Sequence, residues 1–237
     1  MLSSSLILER IKSTIGILNK EGTIHLHEPY FKDSNAYEYI KECIDSGWVS
    51  SSGQWISKFE GQLANFTGSK YVIAVSNGTV ALRLALHLVG VRSKDEVLIP
   101  PLSFVATANS VSHLGALPHF IDIESETLGM CPIALEKRLN EVAEKRDGLI
   151  FNKLSGNKIS AVVPVHVFGL PSKIDLLRRI CLRWNLPLVE DSAEALGSKT
   201  LISNKFKHCG CVGEIGVLSF NGNKIITTGG GGAILTD

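Results

Sequence analysis

Lys224 lies in the run Ser219-Phe220-Asn221-Gly222-Asn223-Lys224-Ile225-Ile226-Thr227-Thr228, which is followed by four glycines, Gly229 to Gly232. A lysine on a glycine-rich turn between two apolar strand-like runs suits a nucleophile that condenses with an aldehyde. Such an amine reacts only when neutral, so its site must desolvate it or place another cation nearby. Taken alone, the pattern also describes an ordinary loop lysine. Two upstream motifs narrow the reading.

The first is Ser76-Asn77-Gly78-Thr79, at a junction between a strand-like and a helix-like run. Unpaired N–H groups at a helix N-terminus, with the positive end of the helix dipole, favour an anion such as phosphate. Gly78 lets the backbone approach closely and Thr79 adds a hydroxyl; plain N-capping is the alternative reading. The second is Val189-Glu190-Asp191-Ser192-Ala193-Glu194-Ala195-Leu196-Gly197. Asp191 closes an apolar run, and burying a carboxylate there without a partner is costly. A protonated pyridine nitrogen, a metal or a helix N-terminus would each serve. A ring nitrogen kept protonated turns its ring into an electron sink, as pyridoxal phosphate chemistry requires. Ser219, five residues before Lys224, can complete a phosphate cup. Together the motifs provide for a phosphate, a ring nitrogen and an aldehyde.

The elements that must hold these residues follow from periodicity. Helices are expected over residues 35–46 and 54–66, the first stopped by Gly47 and the second by Gly68. An alternation then begins: strand 71–75, helix 79–88, strand 96–99, helix 105–114, strand 119–123, helix 132–145, strand 159–165, helix 174–184 and strand 187–190. Two further strands, 216–220 and 233–235, flank the lysine turn. Strands that are apolar throughout belong to a sheet covered on both faces. The alternation therefore predicts an α/β domain with a mostly parallel sheet flanked by helices. In such sheets ligands gather beyond the carboxyl ends of the strands, where these motifs fall. The polar stretch 146–158 reads as an exposed connection, and residues 1–34 form an N-terminal segment ahead of a domain spanning 35–237.

The chain has 237 residues, with 24 basic and 23 acidic side chains and a net charge of +1. That balance gives no electrostatic case for nucleic acid or an anionic membrane. Cys43, Cys131, Cys181, Cys209 and Cys211 are odd in number and scattered, which reads as a reducing compartment. His208-Cys209-Gly210-Cys211 lacks the second pair that zinc spacing requires, so no metal is expected. No run approaches the roughly 20 apolar residues that span a bilayer, and the first residues show no basic leader. A soluble cytoplasmic protein is the expectation.

With these residues in view, the chain resembles the DegT/DnrJ/StrS family of sugar aminotransferases, of the aspartate-aminotransferase-like (pyridoxal phosphate fold type I) architecture. The resemblance runs from about Ser46 to Asp237. It rests on Gly47-Trp48-Val49-Ser50, Asn77-Gly78-Thr79-Val80-Ala81-Leu82, Pro101-Leu102-Ser103-Phe104-Val105-Ala106-Thr107-Ala108-Asn109, Pro164-Val165-His166-Val167-Phe168-Gly169, Glu190 to Gly197 and Ser219 to Gly232. The last stretch is similar to the branch that aminates UDP-linked 4-keto-6-deoxy sugars for surface glycans. The resemblance implies pyridoxal 5'-phosphate as cofactor and glutamate as usual amino donor. It implies that Lys224 holds the cofactor covalently and Asp191 pairs with its pyridine nitrogen. Gly78, Thr79 and Ser219 would hold the phosphate, Phe104 would stack on the ring, and Glu194 would contact the ring hydroxyl, where many members carry Gln. Trp48 would lie near the sugar, and two copies would form a homodimer. Phe104 and His166 equally suit a core, and Trp48 suits packing at a helix end. Members of the family continue into a smaller C-terminal domain, whereas this sequence stops at Asp237. A catalytically silent cofactor-binding fragment or regulatory module is therefore the alternative. Relatives that dehydrate sugars carry His where Lys224 stands, which argues against that chemistry here.

Overall fold

The computed structural model describes residues 3–14 and 29–237; residues 15–28, part of the expected N-terminal segment, lie outside the described residues. Near the start is helix α1 (Ser4–Thr14), which buries none of its side chains. Sequence periodicity gave no element there, because a helix that packs on nothing needs no apolar stripe. Helices α2 (Ala36–Asp45) and α3 (Gln54–Thr67) follow as expected.

The body of the chain is a sheet with helices on both faces. The strands are β1 (Tyr71–Val75), β2 (Glu96–Ile99), β3 (Leu117–Phe120), β4 (Ala143–Arg146), β5 (Leu149–Asn152), β6 (Lys158–Val162), β7 (Val189–Asp191), β8 (Lys199–Ile202), β9 (Lys205–His208), β10 (Ile215–Ser219) and β11 (Gly232–Thr236), of which β8 and β9 form a separate two-stranded sheet. The helices between them are α4 (Gly78–Leu88), α5 (Val105–Ser112), α6 (Pro132–Val142) and α7 (Ile174–Trp184). One set of strands has the order β1-β11-β10-β7 and another β3-β2-β6-β5-β4. Bridges from Val162 to Leu188 and from Val165 to Asp191 join β6 to β7, so the two sets continue into one another. Among β3, β2, β6, β7 and β10 the pairings are parallel. β11 runs antiparallel to both β1 and β10. The mostly parallel sheet flanked by helices is present, with β11 reversed beside the lysine turn and β5 antiparallel to both β6 and β4.

Continuous apolar strands make sense once both faces are followed, because successive side chains point to opposite sides. Val97, Ile99, Ala161, Val163, Val189 and Val217 pack with Ala81, Leu82, Ala85 and Leu86 of α4 and Val111 of α5. Their neighbours Leu98, Val162 and Leu188 face the other way, onto Leu135 and Leu139 of α6 and Ile174 and Leu177 of α7. A third cluster, with Leu63, Val72, Leu218 and Phe220, holds α3 against the β1 end of the sheet.

Two hairpins depart from the sequence reading. The expected helix 132–145 ends at Val142, and residues expected to be its last turn and an exposed connection form the antiparallel pair β4–β5. Its two-residue turn is Asp147-Gly148, both at positive φ, the conformation that a tight hairpin favours. Ser203-Asn204, also at positive φ, turns β8 into β9. The strands of both hairpins have only four residues each and mix exposed charged side chains with a few apolar ones, so hydrophobic alternation does not mark them.

Candidate active site

A cavity of about 500 Å³ opens beyond the carboxyl ends of β6, β7 and β10, beside the start of α4. Gly78, Thr79, Phe104, Asp191, Glu194, Ser219 and Lys224 all line it. Seven of the eight residues singled out from the sequence are thus brought together. The eighth, Trp48, lines a separate surface depression with Tyr39, Ile40 and Trp55 between α2 and α3.

Lys224 reaches the cavity because β10 ends at Ser219 and the chain must turn before returning as β11. Its backbone N–H bonds Asn221 O at 2.9 Å, and the N–H of Thr228 bonds Phe220 O, closing the turn. The ammonium end is buried. Nζ donates to Glu194 Oε1 at 3.1 Å and stands 5.7 Å from the centre of the Phe104 ring. Glu194 Oε2 in turn accepts the N–H of Phe168 at 2.9 Å.

Asp191 is the last residue of β7. Its Oδ2 accepts the Thr107 hydroxyl at 2.7 Å and its Oδ1 the Ala193 N–H at 3.2 Å. Burial pushes the Asp191 carboxyl above its ordinary range, and Thr107, Ala193 and the charge of Lys224 oppose that rise only in part. A buried acid in this condition gains from a cation placed against it. Thr107 is a residue that sequence reasoning missed; 84 positions separate it from Asp191, and only the packing of α5 over β7 unites them.

The start of α4 is prepared for an anion. Asn77 caps it, its side chain accepting the N–H of Val80 at 2.8 Å and its carbonyl that of Ala81. Gly78 and Thr79, the first two helical residues, have no acceptor for their N–H groups within the helix. A Cβ on Gly78 would stand 2.9 Å from Cβ of Ser219, so glycine is what allows Ser219 to lie against the helix start. Gly232 plays the same part across the way, where a Cβ would stand 2.7 Å from the Gly78 nitrogen.

His166 also borders the cavity but is turned away from it. Its Nε2 bonds Glu190 Oε2 at 3.0 Å, and its Nδ1 accepts the N–H of Ser172 at 3.1 Å. A donor aimed at Nδ1 leaves Nε2 as the nitrogen that carries the proton. The core role expected for this histidine is what the structure shows. His208 is committed elsewhere, its Nε2 accepting the N–H of Gly197 at 2.8 Å, while the Cys209 side chain lies against His166. Among the described residues no group of His, Cys, Asp and Glu is arranged to hold a metal.

Residues 31–237 match the DegT/DnrJ/EryC1/StrS aminotransferase family. The chain belongs to this family. Among similar DegT/DnrJ/EryC1/StrS relatives, GDP-perosamine synthase of Vibrio cholerae is 38% identical over 214 residues, covering 90% of this chain and 53% of the relative. GDP-perosamine synthase of Escherichia coli O157:H7 is 39% identical over 200 residues, covering 84% of this chain and 50% of the relative. A solved aminotransferase from Psychrobacter cryohalolentis superposes with a TM-score of 0.73 at 30% identity, covering 89% of this chain and 49% of that one. DesI, solved in the presence of its TDP-sugar product, gives 0.76 at 27% identity, covering 92% and 50%. The chain spans about half the length of the relatives it matches. No helix among the described residues is long and apolar enough to cross a membrane.

Proposed function

We propose that this chain carries the cofactor-binding part of a pyridoxal-phosphate-dependent aminotransferase. The reaction transfers an amino group, with glutamate as donor, to the keto group of a nucleotide-linked deoxy sugar, in the cytoplasm and on the way to surface glycans. One observation carries the reading: a single cavity holds a buried lysine amine, a buried carboxyl and a helix start bordered by Ser219.

The cavity fits the cofactor group by group. When bound, pyridoxal phosphate supplies an electron-withdrawing ring that delocalises negative charge from the carbon bearing the amino group. Lys224 supplies the amine that attaches it, and when released from that bond its Nζ is placed to move a proton within the cavity. Asp191 would hold the ring nitrogen and its proton, and that positive charge would offset the burial that lifts the Asp191 carboxyl. Thr107 and Ala193 fix the direction of that carboxyl. Gly78, Thr79 and Ser219 take the phosphate. Phe104 would cover the ring and Glu194 would contact its hydroxyl.

Trp48 belongs to the sugar side of this reading. It lies outside the cavity of its own chain, and a homodimer would be one way to bring it to a sugar. The sequence resemblance favours UDP-linked sugars, whereas the relatives named above are called GDP-perosamine synthases. The test supplies the cofactor-loaded chain with glutamate and either a UDP- or a GDP-linked 4-keto-6-deoxy sugar, followed by mass spectrometry of the sugar and assay of 2-oxoglutarate. One of the two is expected to gain an amino group in step with 2-oxoglutarate. Cofactor attachment without amination of either would instead support the silent-fragment reading.

A further inference from the structure

Asn221 and Asn223 line the same cavity as Lys224, on the turn that carries it, yet the cofactor reading gives neither of them a task. The turn does not call for asparagine either. Its closure is made by the backbone, from Lys224 N–H to Asn221 O and from Thr228 N–H to Phe220 O. The Thr227 hydroxyl adds a further bond to Phe220 O at 3.0 Å. Asparagine commonly serves turns by adopting positive φ, as Asn185 and Asn204 do in this chain, but Asn221 and Asn223 do not. Both are exposed, so burial does not account for them. Their side chains instead bond one another, Asn221 Nδ2 donating to Asn223 Oδ1 at 2.9 Å.

That bond joins the two carboxamides into one unit. The Asn221 oxygen remains an acceptor and the Asn223 nitrogen a donor, and neither side chain has another hydrogen bond among the described residues. Turning both carboxamides over only exchanges the two roles. A donor beside an acceptor matches a hydroxyl group, which gives one hydrogen bond and takes another. A carboxylate only accepts, and would set its oxygen against the carboxamide oxygen. The two substrates of the proposed reaction differ in this respect: glutamate brings carboxylates, whereas the sugar brings ring hydroxyls. We propose that Asn221 and Asn223 form a hydroxyl-binding clip that holds the keto sugar and not the amino donor. The inference rests on the sugar aminotransferase reading above. Because the clip shares its turn with Lys224, it fixes the sugar relative to the amine.

The experiment compares wild type with the double variant Asn221→Ala and Asn223→Ala, each loaded with pyridoxal phosphate. Circular dichroism and borohydride mapping of Lys224 first establish that both are folded and loaded; should the double variant not fold, the two single variants replace it. In this form the chain has no amino group to give. A UDP- or GDP-linked 4-keto-6-deoxy sugar therefore binds without reacting, and calorimetry measures its affinity. Glutamate is added to separate samples, where loss of the visible band gives its rate and half-saturating concentration. The variant is expected to bind the sugar about tenfold more weakly, the effect of losing two neutral hydrogen bonds that compete with water. Its response to glutamate should match wild type; where wild type gives no such response, the sugar affinity alone decides. Unchanged sugar affinity would overturn the clip. So would equal losses for sugar and glutamate, which would show that the pair only shapes the Lys224 turn. Wild type that carries cofactor on Lys224 but binds neither sugar would overturn the clip and leave the cofactor reading standing. Absence of cofactor on Lys224 in wild type would overturn both.

Discussion

Glu190 and Asp191 are adjacent on β7, both buried, and face opposite sides of the sheet. Glu190 meets a saturated environment. Its oxygens accept the N–H groups of Val212, Gly213 and Gly210 at 2.7, 2.6 and 3.0 Å and the His166 imidazole at 3.0 Å. Burial pushes the Glu190 carboxyl up, but His166 and the backbone donors outweigh it, and the net shift is downward. Asp191 has a hydroxyl and a single N–H, opens on the cavity, and shifts upward. A carboxylate whose lone pairs are filled from within its own chain builds the fold. One left partly filled at the wall of a cavity is a seat for something else. The same strand serves both ends because alternation sends neighbouring side chains to different faces.

The comparison can be broken by removing each acid in turn. Glu190→Ala should cost about 3–5 kcal/mol, since three backbone donors and a buried imidazole lose their acceptor. Denaturant unfolding measures this. Asp191→Ala should cost far less in the same assay yet abolish the visible band formed with pyridoxal phosphate. Equal losses of stability would erase the distinction between the two faces. The next effect is on the support of Asp191: Thr107→Val removes the hydroxyl donor and should cost about 1 kcal/mol while weakening cofactor retention, read by dialysis and absorbance.

The smallest effect is a difference in pH dependence. The Asp191 carboxyl ionises above its ordinary value of 3.8 in the folded chain, so it resists ionisation more when folded than when unfolded. Its presence therefore lowers the stability of the cofactor-free chain as pH rises from the unfolded value through the folded one. Asp191→Asn should match wild type in acid and exceed it near neutrality, in thermal or denaturant unfolding across pH. Glu190 has the opposite sign. Its stabilisation is present above the ordinary carboxylate value and fades as pH falls through the lowered one.

Much of this arrangement was legible in the sequence, for identifiable reasons. Apolar strands such as residues 96–99 announce a sheet covered on both faces, and Leu98 does face α6 and α7 while Val97 and Ile99 face α4 and α5. Lys224, Asp191 and Gly78 were legible because each departs from its surroundings: an amine among glycines, an acid ending an apolar strand, a glycine opening a helix. Thr107 was not, since nothing in its own helix distinguishes a hydroxyl that reaches Asp191 from one that faces solvent. Glu194 was assigned toward the ring hydroxyl from resemblance, and its contacts with Lys224 and Phe168 depend on the turn at residues 167–169. The hairpins at 143–152 and 199–208 escaped because their strands are four residues each and mix charged with apolar residues, too short a run for a clear period. Their turn residues, Asp147-Gly148 and Ser203-Asn204, were the signal available.

The most direct test of the central claim is to add pyridoxal phosphate to the chain, reduce with borohydride, and map the modified lysine by peptide mass spectrometry, with Lys224→Ala alongside. A single adduct on Lys224, absent from the variant although the variant stays folded, is the predicted result. Adducts spread over exposed lysines, unchanged in the variant, would contradict it.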